Sequence, residues 1–109
     1  MGSSKYRGNE TCDAIGQKSL PRDTALFLIR DSVFRRRSLI HGRLEDGEGH
    51  YCAIGAFFHD NPKAVIESSL IDEVAAVNDS VPKSASPKER WKKVNEWLRL
   101  KISAMTAQR

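Results

Sequence analysis

Residues 86–105 read SPKERWKKVNEWLRLKISAM, and this stretch decides the fold. Ser86 is placed to cap a helix, Pro87 suits the first helical position, and Glu89 completes a capping box. At about 100° per residue, Trp91, Val94, Leu98, Ile102 and Met105 then fall on one side. Lys88, Lys92 and Arg99 line the opposite side. Trp97 and Leu100 lie off the apolar stripe, where they either meet a second neighbour or stand exposed as a contact site. A long amphipathic helix closing the chain needs other elements to cover its stripe.

Working outward, Asn61-Pro62 reads as a helix start. Val65 or Ile66, then Leu70, Val74 and Val77, form one stripe, so a third helix is predicted over about 62–77, ended by Asn78-Asp79-Ser80-Val81-Pro82. Further upstream, Asp23 is the expected cap of a first helix over 24–35. Leu26, Ile29 and Val33 recur there at helical spacing, and Ala25, Phe27, Leu28 and Phe34 widen the apolar surface. A helix apolar on so much of its circumference is expected at the centre of the core. CAIGAFF, residues 52–58, suggests a short buried helix. Gly55 inside it costs about 1 kcal/mol relative to Ala, a cost that makes sense if another backbone packs closely there. Residues 38–51, SLIHGRLEDGEGHY, carry the Asp46-Gly47 turn signal and read as a short irregular hairpin. The expected fold is therefore mainly α (α+β): one small domain over 21–109, with about four helices and a short hairpin before the Cys52 helix.

Residues 1–20, rich in Gly, Ser, Asn, Lys and Thr without periodicity, read as a disordered tail. With 109 residues, 39% hydrophobic and 29% charged, the composition is that of a soluble globular domain. No apolar run reaches membrane-spanning length, and Met1 to Gln17 lacks a signal-peptide core. Two cysteines, Cys12 and Cys52, are too few for a disulfide framework. Reduced thiols and a cytoplasmic setting follow as expectations. The net charge is +4, unevenly spread: residues 86–109 carry +5, whereas 23–60 and 61–85 carry −1 and −2. An acidic partner is permitted, but a uniformly basic nucleic-acid binder would look different.

Chemistry concentrates near Cys52, where a glycine-punctuated loop should enter a helix. Free N–H groups at such an end favour a thiolate. A thiol nucleophile also needs a base and a group that orients it. His41, across the hairpin, is the easiest base, and His59 is the other. His50, two residues before Cys52, should diverge from it. Asn78 or Asp79 could orient the imidazole. Against this stands the ordinary behaviour of a free cysteine as a small buried hydrophobe. His41, His50, Cys52 and His59 have no familiar metal-ligand spacing, so neither a metal nor another cofactor is expected. Arg35, Arg36 and Arg37 form either a solvated helix end or, with Lys88, Lys92 and Arg99, a nucleic-acid contact. No aromatic platform accompanies these cations in the sequence, which argues against single-strand binding.

Gly42, Asp46-Gly47, Tyr51-Cys52-Ala53-Ile54-Gly55-Ala56, then Asn78-Asp79 and a closing amphipathic helix, resemble a family of small uncharacterised domains of bacteria and phages. The family pattern runs glycine, loop, G-x-x-C-x-x-G-A, helix, Asn-Asp, helix, and the match spans about residues 24–104. Leu39 and Ile40 stand where the family usually has a tryptophan. The resemblance implies a compact cytoplasmic domain, often on mobile DNA, and no established activity. The order Cys then Asn/Asp is also similar to papain-like thiol hydrolases. Three functions are thus expected, in this order. The first is a non-enzymatic protein that inhibits or regulates a macromolecular partner, such as a host-defence complex, through Trp97, Leu100 and the basic residues. The second is a thiol hydrolase using Cys52 with His41 or His59 and Asn78. The third is a nucleic-acid-contacting accessory protein.

Overall fold

A computed structural model describes residues 18–107. The tail expected over 1–20 lies outside these residues except for its last three, as does Cys12. The described chain forms four helices: α1 Arg22–Arg36, α2 Ala53–Asp60, α3 Ser68–Ser80 and α4 Pro87–Ala107. Helix α1 packs on α2 and α4, and α3 closes the ring against the same two helices. The centre is filled by Leu26, Ile29, Val33, Leu39, Phe57, Leu70, Val74, Val94 and Leu98, all essentially without solvent exposure. No helix among the described residues is long and apolar enough to cross a membrane.

Helix α4 starts as its sequence dictates, with the Glu89 N–H donating to Ser86 Oγ at 3.1 Å. Val94, Leu98 and Ile102 are buried, with Trp91 and Met105 packed partly against the core. Helix α1 begins earlier than expected, with Pro21 at the cap position and no side-chain cap. Asp23 instead lies in the first turn, where its charge faces the positive end of the helix. Its C-terminus closes through Arg37 in the left-handed region, φ 65°.

Helix α3 begins at Ser68, not at Asn61-Pro62. Asn61 terminates α2 instead: its backbone N–H and its Nδ2 both donate to Phe57 O, at 2.9 and 3.0 Å. The chain beyond it is then held without helix, because Val65 O accepts from Leu20 N at 2.8 Å and Ile66 inserts into the core. The cap chemistry of Asn61 is real, but it closes a helix rather than opening one. Helix α3 also runs on through Asn78, Asp79 and Ser80.

The hairpin is reduced to one antiparallel bridge, Glu45 to Tyr51. Asp46 shapes its turn: Oδ1 accepts from the N–H groups of Glu48 and His50 at 2.8 and 3.1 Å. Gly47, at φ 82°, supplies the conformation that side chains rarely adopt.

Candidate functional site

Cys52 is the N-cap of α2. It is 7% exposed, and its Sγ accepts from the Gly55 N–H at 3.3 Å. Burial pushes the thiol above its ordinary value. The Gly55 and Ile54 N–H groups pull it back only in part, and the Asp79 charge adds to the rise. The sulfur borders a cleft of about 220 Å3 that it shares with Arg43, Ile71, Asn78 and Asp79.

None of the three histidines hydrogen-bonds to this thiol. His41, half-buried, makes no hydrogen bond among the described residues. His50 Nδ1 lies 2.6 Å from Asp46 Oδ2. The His59 ring packs on Tyr51 with centroids 4.8 Å apart. Asn78 orients no imidazole. Buried to 1% exposure, it accepts from Ala53 N at 3.1 Å and donates to Ile40 O at 2.9 Å. It also donates to Asp79 Oδ1 at 3.0 Å, and that oxygen in turn accepts from Gly42 N at 3.1 Å.

Gly42, Cys52, Gly55, Asn78 and Asp79 therefore meet at one joint, which ties α3 to the loop and to the start of α2. Gly55 is required there, since a Cβ at this position would lie 1.9 Å from Leu44 O. The close backbone approach expected from this glycine is found, and its partner is Leu44. In the adjoining turn, Asp46, Glu48 and His50 bring potential metal-ligand atoms within 4.8 Å of one another. Both Asp46 oxygens are already engaged by the turn and by His50.

The arginine run divides. Arg35 Nη2 and Arg36 Nη2 reach the Asp60 carboxylate at 3.2 and 2.5 Å, and the Arg36 guanidinium lies 5.0 Å from the Tyr51 ring centroid. Burial raises the Asp60 carboxyl, but the hydrogen bond and charge of Arg36 outweigh it and hold the group below its ordinary value. These two arginines clamp the end of α1 to the end of α2. Arg37 is exposed and forms no ion pair among the described residues.

Helix α4 separates the remaining candidates onto two flanks. Lys88, Lys92 and Arg99 are exposed on the flank beside α1. Contacts fix this placement: Trp91 Nε1 donates to Val33 O at 2.7 Å, and Arg99 shares a small pocket with Arg30 of α1. On the flank beside α3, Trp97 lines a groove of about 340 Å3 with Val77, Val81, Pro82 and Lys93. Lys101 Nζ stands 5.4 Å from the Trp97 ring centroid. Leu100, 53% exposed, follows on the outer surface of the same helix.

Three further features had no clear signal in the sequence. Arg90 is only 2% exposed. Its Nη1 donates to Asn78 O and Val81 O at 2.7 and 2.8 Å, and its Nη2 to Pro82 O at 3.1 Å. A cation here meets the negative end of α3 and satisfies carbonyls that helix ends leave unpaired. Phe27 and Phe34, expected among the apolar residues of a central helix, are 41% and 51% exposed. Arg30, on the same side of α1, is exposed without an ion pair among the described residues.

Comparison with protein-family models, with curated proteins and with solved structures finds no match to this chain.

Proposed function

We propose that this chain is a small non-enzymatic regulator that docks on a protein partner through the groove between α3 and α4. The observation that supports this reading is Trp97. A large amphipathic side chain lies half-buried along an apolar groove, with Leu100 exposed nearby. Tryptophan is among the residue types enriched at binding hot spots, where a partner completes its desolvation. Lys93, exposed in the groove, favours a partner segment that combines an apolar anchor with an acidic neighbour. Lys101, over the indole, is already paired with Glu73 at 3.8 Å. For a chain of bacterial or phage type, host-defence complexes are the first machines to screen, with inhibition as the expected effect.

The test is affinity capture with the intact chain, followed by titration of the captured protein against variants. Leu100→Glu leaves the fold intact and weakens association at least tenfold. Trp97→Ala weakens it further. A partner bound equally well by both variants removes the groove from the reading. The thiol-hydrolase alternative gains no support from a buried thiol whose ionisation is suppressed and which has no hydrogen-bonded base.

A further inference from the structure

We propose that the seam between α1 and α4 binds single-stranded nucleic acid, with Phe27 and Phe34 stacking on bases and the flanking cations holding the phosphates. This site is separate from the Trp97 groove and lies on the other flank of α4.

On this side helix α4 offers Lys88, Lys92 and the Arg99–Glu96 pair. The fold sets α1 alongside it, and α1 contributes what the sequence of α4 lacks. Phe27 and Phe34 are seven residues apart, two helical turns, so they project from one face about 10 Å apart along the axis. Both are exposed, at 41% and 51%, and the Phe34 ring lies 6.2 Å from that of Trp91 on α4. Arg30 sits between the two phenylalanines in sequence and faces Arg99 across a pocket of about 210 Å3 that also includes Ser103. Arg37 ends α1 close to the start of α4, where Leu39 N donates to Pro87 O at 3.1 Å.

Arg30, Arg37, Lys88 and Lys92 have no ion-pair partner among the described residues. Arg99 is held by Glu96 at 2.6 Å. Asp31 lines a small pocket with Phe34, Asp23 lies one turn before Phe27 on α1, and Glu89 lies one turn before Lys92 on α4.

Cations interleaved with exposed aromatic rings are the chemistry of single-strand recognition. A phosphate backbone follows the positive charge, and any unpaired base offers a π-face to stack on phenylalanine. A duplex hides those faces, so it would engage the cations and leave the rings idle.

The experiment is fluorescence anisotropy of a labelled 20-nucleotide oligothymidine with the intact chain, from 20 to 200 mM salt. Binding is expected to weaken as salt rises, with a log–log slope of about −2 to −3.5 for three to five neutralised phosphates. Phe34→Ala is expected to lower affinity about tenfold at unchanged slope. Lys92→Gln flattens the slope by about 0.7. A duplex of the same length binds at least tenfold more weakly. Phe27→Ala repeats the aromatic arm if Phe34→Ala does not fold. Leu100→Glu leaves oligothymidine binding unchanged, so failure here is distinct from failure of the protein-docking reading. No binding at 20 mM salt overturns the proposal. So does equal binding of the duplex with no dependence on either phenylalanine, or equal competition by a polyglutamate of matching length, which would mark a generic acidic-protein contact.

Discussion

The two flanks of α4 come from one helix and twenty-one residues, yet they differ in how their charges are used. Beside α3, Arg90 is buried and donates to three carbonyls, while Trp97 lies against Val81 and Pro82 in a groove. Beside α1, Lys88 and Lys92 reach solvent with no ion pair among the described residues, and the neighbouring phenylalanines are exposed. The first flank commits Arg90 to holding the fold together and leaves an apolar groove with Lys93 at its edge. The second leaves both its charge and its aromatic rings available. A cation's role here follows from whether a helix C-terminus or open water faces it.

This contrast can be broken experimentally, beginning with the largest effect. Arg90→Met leaves buried carbonyls at the end of α3 unsatisfied and should cost about 3 kcal/mol in chemical denaturation. A loss under about 1 kcal/mol would show that the α3 flank does not depend on this cap. Trp97→Ala should cost about 2 kcal/mol, since half of a large side chain leaves the core edge, and should also reduce partner binding. Phe34→Ala on the other flank should change stability by less than about 1 kcal/mol. A larger loss would make Phe34 a packing residue and return the two flanks to equivalence. Lys92→Gln should leave the melting temperature unchanged and act only on the salt dependence of binding.

Cys52 supplies the smallest expected effect. Its folded pKa is raised, so the fold favours the neutral thiol. The associated stability is complete below the ordinary value of 9.0 and is lost as pH climbs from there through the folded pKa. Stability of the Cys12→Ser protein should therefore decline more steeply above pH 9.0 than that of Cys12→Ser/Cys52→Ala. Alkylation of the native thiol near neutral pH should be slower than in the denatured chain. Fast alkylation of the folded protein would reopen the nucleophile reading.

Local signals were legible where one segment settles its own geometry. The Ser86 cap, the α4 stripe and the Asp46-Gly47 turn each depend on residues near one another in sequence, and each is present. The close approach at Gly55 is present too, but its partner Leu44 comes from the preceding loop. Four helices in one small domain follow from those periodicities. What stayed hidden depends on which element lies alongside. Asn61-Pro62 carries the chemistry of a helix start, yet Phe57 O claims Asn61 and Leu20 claims Val65. Phe27 and Phe34 carry the hydropathy of core residues, but α1 meets neighbours on only part of its circumference, and their side is left to water. Arg90 reads as one basic residue among seven in residues 86–109 until the end of α3 arrives against it. By itself the sequence determined the helices and their apolar stripes, because propensity, capping and periodicity act within a few residues. Only the tertiary structure decided which charges are consumed and which rings are exposed. Those outcomes depend on partners that lie far apart along the chain, and no local pattern encodes them.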